Sequence, residues 1–235
     1  MDERRSVLLI SHEPEAAPGM IGAMLLERGV DVRTHVVLAD PANPNIDFPD
    51  PAAFDAVIAF GSFSNAYAEH TRPWVAAEID YIGGLMEASI PYLGVCFGGQ
   101  LLSEALCGSV ERAPAGHDEI GVVTISEAAG LPIPAGPWFT WHEDRIVLPA
   151  GVEVLAQNDN AVQLFRHGNA VGIQFHPEAD VELVSKWLRI GPDHVPDRTS
   201  AAELIDDLST QAVVLRRNCE QLVDWFFTDI AKAPV

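Results

Sequence analysis

Pro91–Gln100 reads PYLGVCFGGQ, a short apolar run that ends in a cysteine set between glycines. Gly94-Val95-Cys96-Phe97-Gly98 has the G-x-nucleophile-x-G pattern of a turn in which a buried strand stops, the chain bends sharply and a helix begins. Gly94 and Gly98 lack a Cβ, so strand and helix can approach closely around the turn. Cys96 then stands at the tip, its sulfur at a helix N-terminus, where the helix dipole favours the thiolate. The N–H of Phe97, the residue after the candidate nucleophile, is free to donate to an oxyanion. A structural cysteine beside a glycine-rich βα turn has the same pattern, so this stretch alone leaves both readings open.

A second stretch, eighty residues on, weighs on the choice. Ala170–Glu178 reads AVGIQFHPE, another apolar run followed by His176-Pro177-Glu178. In an extended segment residues two apart point the same way, so His176 and Glu178 can serve one site, with Pro177 keeping the segment out of helix. A nucleophilic cysteine needs a base, and the base needs a carboxylate to fix its tautomer. All three types stand at the C-terminal ends of two apolar runs, the edge of a parallel sheet where α/β proteins place their sites.

Together GVCFGGQ and QFHPE resemble the class I (triad) glutamine amidotransferase family, over roughly Val7 to Lys186. The resemblance implies an α/β fold with a mostly parallel, flavodoxin-like sheet flanked by helices. It implies a catalytic triad of Cys96, His176 and Glu178, and cleavage of a γ-glutamyl amide through a thioester. Phe97 and the Gly61-Ser62 pair would form the oxyanion hole. Where the family carries Gly-Gly, this chain has Gly61-Ser62, and a serine held at φ > 0 would be strained. Gln100, in the glutamine position of C-x-G-x-Q, would contact the glutamyl portion, and Phe63 would wall the leaving-group pocket. Thr140–Asp144, TWHED, is similar to the family's S-H-x-D segment, which puts His142 beside the substrate, as pocket wall or second histidine. Glu119-Ile120-Gly121 occupies an acidic-x-Gly position that frames the pocket.

Both a free-standing γ-glutamyl hydrolase and a glutaminase subunit that hands ammonia to a synthase partner fit this chemistry. A non-catalytic regulatory protein, or a stress protein with a redox-sensing elbow cysteine, is the alternative of another class. Neither needs the full Cys96/His176/Glu178 set.

The rest of the chain reads as alternating strands and helices. Strands are expected at Val7–Ile10, Val30–Leu38 and Ala56–Phe60, with helices from about Ile21 to Gly29 and from Pro73 to Glu87. Gly108–Thr124 reads as two short strands around a turn. Val152–Ala156, Ala161–Arg166 and Ala170–Phe175 read as successive strands, and Val181–Arg189 as a helix stopped by Gly191-Pro192. Asp193–Val235 reads as two helices with stripes at Leu204, Leu208, Leu215 and at Leu222, Trp225, Phe226, Ile230. The expected organisation is a catalytic domain over residues 1–190 and a helical extension over 191–235 packed on it.

Fourteen Lys and Arg against 34 Asp and Glu give a net charge of −20, which argues against nucleic acid or an anionic membrane as partner. Three cysteines give no disulfide framework, which suits a reducing cytoplasm. The apolar run near the N-terminus is too short for a signal sequence or a membrane span and is expected to be the first strand. No His or Cys pair has zinc-finger or HExxH spacing, so neither metal nor cofactor is expected. The expected partner is a small γ-glutamyl substrate.

Overall fold

A computed structural model describes residues 5–67, 72–125, 130–190 and 199–232. Its seven-stranded sheet has the order β2-β1-β3-β4-β11-β10-β9. β1 (Ser6–Ser11), β2 (Asp31–Val36), β3 (Ala56–Ala59), β4 (Tyr92–Val95) and β11 (Ala170–Ile173) run parallel. β10 (Val162–His167) and β9 (Glu153–Gln157) extend the sheet antiparallel, as the short turn at Gly168 dictates. The start of this order, 2-1-3-4, is that of flavodoxin-like doubly wound folds.

The inner strands are apolar on both faces because helices cover both. Val7 and Leu9 of β1 face α1 (Gly19–Glu27) and the end of the long C-terminal helix. Leu8 and Ile10, one residue out of phase, join Val75, Ile82 and Leu85 of α2 (Arg72–Glu87) and Leu101 of α3 (Phe97–Ala105). The period-two alternation of one short strand thus supplies two cores.

Gly108–Thr124 holds the two short strands expected there, β5 (Ser109–Arg112) and β6 (Glu119–Val123), and each finds its partner elsewhere. β5 pairs with β8 (Asp144–Val147) and β6 with β7 (Trp138–His142), all antiparallel. Strands of four and five residues have too few partners for a local hairpin to fix the pairing, and Trp138–Val147 supplies better ones. The C-terminal segment is a correction: among its described residues it is one helix rather than two. α5 runs Ala201–Trp225 and closes in a wider π turn, Phe226–Ile230. It starts on a capping box: Glu203 N–H donates to Ser200 Oγ, and the Glu203 carboxylate accepts from Ser200 N–H. No glycine or proline interrupts it before Trp225. Leu222, Val223, Phe226 and Ile230 are buried in the same core as Val7 and Leu9. The stop expected at Gly191-Pro192 lies outside the described residues, while α4 (Val181–Ile190) precedes it.

Among the described residues, no helix is long and apolar enough to cross a membrane.

Candidate active site

β4 ends at Val95 and α3 begins at Phe97, so Cys96 alone makes the turn. Its backbone stands at φ 51°, ψ −103°, a conformation that non-glycine residues rarely adopt and that stores strain where it is held. Close packing holds it there. A Cβ on Gly98 would stand 2.5 Å from the Ala59 carbonyl, and one on Gly94 would collide with the backbone of Gly98. These glycines are sterically required. The turn leaves the Phe97 N–H at the first position of α3, where no intrahelical acceptor exists for it.

β11 lies beside β4 with Ile173 opposite Val95, and Cys96 N–H donates to the Ile173 carbonyl (2.8 Å). The chain leaving β11 therefore passes the elbow. His176–Glu178 is not extended there, contrary to the expectation. It forms a turn closed by Ala179 N–H donating to His176 O (3.3 Å), and the turn brings the two side chains together instead. His176 Nδ1 donates to Glu178 Oε1 at 2.8 Å, which leaves Nε2 for the neighbouring Cys96, whose sulfur is close enough to act on the ring electrostatically. All three residues are buried, at 7% exposure for Cys96, 5% for His176 and 1% for Glu178. Burial pushes the imidazole pKa down, but the negative charges of Glu178 and Cys96 outweigh it and hold His176 well above its ordinary value. Gln174 Nε2 donates to Cys96 Sγ at 3.7 Å.

The triad opens on a cavity of about 120 Å³. Gly61, Ser62, Phe63, Phe97, Gln100 and His142 all line it. Gly61 is pressed against the triad: a Cβ there would stand 3.0 Å from His176 Cε1. Ser62 does not take positive φ, so the departure from Gly-Gly costs no strain of that kind. His142 is buried, and both its ring nitrogens are engaged, Nε2 with Glu119 Oε2 (3.0 Å) and Nδ1 donating to the Asp144 carbonyl (2.9 Å). It forms a wall and has no ring nitrogen left for a substrate or a second proton relay. Glu119 frames that wall: it also accepts from Asn158, Asn160 and Gln163, and its carboxyl lies below the usual range despite burial, because of His142 and these donors.

Several residues of the site were not singled out in the sequence. Trp187 of α4 lines the cavity and meets His176 edge-to-face at 5.1 Å, with its indole N–H donating to the Glu15 carbonyl (3.2 Å). Trp141 lines it as well, 6.1 Å from Trp187. His12 and Glu13, just after β1, reach the Gly61–Phe63 loop from behind. Among the described residues, no group of three or more His, Cys, Asp or Glu is arranged to hold a metal ion.

The sequence profile described as "Glutamine amidotransferase class-I" matches residues 19–186. The chain belongs to the class-I glutamine amidotransferase family. A glutamine amidotransferase of Thermotoga maritima has the same fold, with a TM-score of 0.83, 25% identity and coverage of 95% of this chain and 98% of that one. The GMP synthase (glutamine-hydrolysing) of Thermomicrobium roseum is 41% identical over 114 residues, 45% of this chain and 21% of that protein. A γ-glutamyl-L-1-hydroxyisopropylamide hydrolase of a Pseudomonas species is 26% identical over 220 residues, 87% of this chain and 70% of that protein. The matched stretch is thus about a fifth of the GMP synthase but most of the hydrolase.

Proposed function

We propose that this class-I amidotransferase chain hydrolyses a γ-glutamyl amide by itself, through a γ-glutamyl thioester on Cys96. The observation that carries the reading is the assembled triad: a strained elbow cysteine beside an imidazole whose Nδ1 is held by Glu178 at 2.8 Å. The Cys96 thiolate attacks the side-chain carbonyl carbon. The oxygen becomes an oxyanion between the N–H groups of Phe97 and Ser62; losing one such donor costs about 10²–10³ in kcat. The C–N bond breaks as His176 Nε2–H gives its proton to the departing nitrogen. Water, deprotonated by the now neutral His176, attacks the thioester, and glutamate leaves as the thiolate re-forms. Glu178 keeps the ring in the tautomer that serves both steps.

The leaving group is proposed to be an amine with a carbon skeleton. Phe63, Trp141 and Trp187 give the cavity apolar walls, and aromatic walls favour carbon skeletons over ammonia. Coverage of most of a γ-glutamyl amide hydrolase supports the same view. A glutaminase subunit serving a synthase is the second reading, favoured by the match to the GMP synthase. The setting is proposed to be the cytoplasm, where a catalytic thiol stays reduced. Steady-state glutamate release by the purified chain, with glutamine, γ-glutamyl alkylamines, anilides and dipeptides, separates the two. The expected result is a higher kcat/KM for at least one γ-glutamyl amine than for glutamine. Inertness toward every amide until a synthase is added would favour the subunit.

The pH profile offers a second check. Because Glu178 and Cys96 raise His176, the imidazolium of the pair persists above pH 6.5 and is lost only as pH rises through the raised value. The alkaline limb of kcat/KM is therefore expected well above 6.5. Glu178→Gln removes the first of the charges that raise it, so that limb should move down. An unmoved limb would show that another group sets it.

A further inference from the structure

The carbonyl of Gly61 points at a histidine buried behind the site. His12 Nδ1 lies 2.9 Å from Gly61 O, and His12 Nε2 lies 2.9 Å from Glu78 Oε2. Both side chains of this pair are wholly buried. A carbonyl can only accept, so Nδ1 carries a proton whichever partner holds the other one. The next residue grips the same loop from the other side: Glu13 Oε1 accepts from Ser62 Oγ (2.8 Å) and from Phe63 N–H (3.3 Å). The His12 ring also stands edge-to-face on Phe97, 4.7 Å between centroids.

We propose that His12, held by Glu78, and Glu13 are positioning residues that clamp the Gly61–Ser62 peptide and thereby aim the Ser62 N–H into the site as an oxyanion donor. The inference rests on the thioester reading of the same site. A trans peptide is planar, with its C=O and N–H pointing in opposite directions. Holding the Gly61 carbonyl toward His12 turns the Ser62 N–H of the same peptide away from His12, toward the cavity that Gly61 and Ser62 line. Donation to the carbonyl also polarises the peptide and strengthens its N–H as a donor. Glu13 occupies the following N–H, that of Phe63, and so fixes the other end of the loop. This chain has serine where the family carries a second glycine, and its hydroxyl is one of the two handles that Glu13 holds. A wholly buried His–Glu pair is a costly way to stabilise a fold. A fixed oxyanion donor is a reason to keep one.

The test compares two reactions of Cys96 in a Cys107→Ser background, because Cys107 is exposed while Cys219 is buried. Acylation by p-nitrophenyl acetate passes through a tetrahedral oxyanion; alkylation by iodoacetamide does not. His12→Leu/Glu78→Leu removes both buried partners together, which avoids stranding one charge. The expected result is amide hydrolysis slowed by about 10²-fold or more, as for loss of one oxyanion donor. KM should stay close to wild type, acylation should slow in the same direction, and alkylation should change by less than about threefold. His12→Asn, whose Nδ2 can still donate toward Gly61 O, should recover part of the loss. Glu13→Gln, which keeps an acceptor, should be milder than Glu13→Leu. Unchanged acylation in a folded double variant would overturn the clamp. So would acylation and alkylation falling together, since the pair would then act on the thiolate or the fold. If the double variant does not fold, His12→Asn against His12→Gln carries the same comparison, and equal acylation rates in the two would overturn the proposal. If the wild type releases glutamate from no amide yet the acylation–alkylation split appears, the substrate reading fails and the clamp stands.

Discussion

Cys96→Ala is expected to release essentially no glutamate from any γ-glutamyl amide while keeping its fold. The side chain proposed to form the thioester is gone, and neither other cysteine can replace it. Cys219 is buried in the core, with its thiol pKa pushed up by burial, and Cys107 lies past the far end of α3. Loss of a nucleophile costs several powers of ten, so residual activity above about one per cent of wild type would contradict the mechanism. Near-ultraviolet circular dichroism and the urea midpoint would show whether the fold is kept. Little change is expected, because only one sulfur is removed and alanine keeps the Cβ.

His176→Ala is expected to lower kcat by about 10²–10⁴-fold, the usual reach of a general acid–base. The sharper expectation is non-additivity. His176 acts only through Cys96 and its adduct, so Cys96→Ala/His176→Ala should be no slower than Cys96→Ala alone. Kinetics on the single and double variants check this. A double variant much slower than Cys96→Ala would mean that His176 serves a second reaction path.

The elbow was legible because its determinants are local. Gly94 reports a local requirement, since a Cβ there would collide with the Gly98 backbone four residues on, although Gly98 itself is kept small by Ala59 of the neighbouring strand. His176 and Glu178 were legible as a pair for the same reason, although a turn rather than an extended segment joins them. Non-local features were not legible. His12 meets Gly61 across 49 residues and Glu78 across 66. Only the adjacency of β1 and β3 in the sheet brings that loop to His12, and no spacing in the chain announces it. Trp187 falls within a stretch read only as a helix, Val181–Arg189, and its place on the cavity depends on the tertiary packing of that helix. The partners of β5 and β6 were not legible for a related reason: they lie in Trp138–Val147, a stretch read for its histidine rather than as strands. The single C-terminal helix could have been read: a Ser-x-x-Glu start followed by 25 residues without glycine or proline is a continuous-helix signal.

The central claim is that Cys96 carries the γ-glutamyl group during turnover. Rapid quenching in acid, followed by peptide mass spectrometry, tests it with the best amide from the glutamate-release panel. The expected result is one γ-glutamyl addition on the peptide containing Cys96, sensitive to hydroxylamine and missing from Cys96→Ala. Steady turnover with that peptide unmodified at every quench time, or with the addition on another residue, would contradict it.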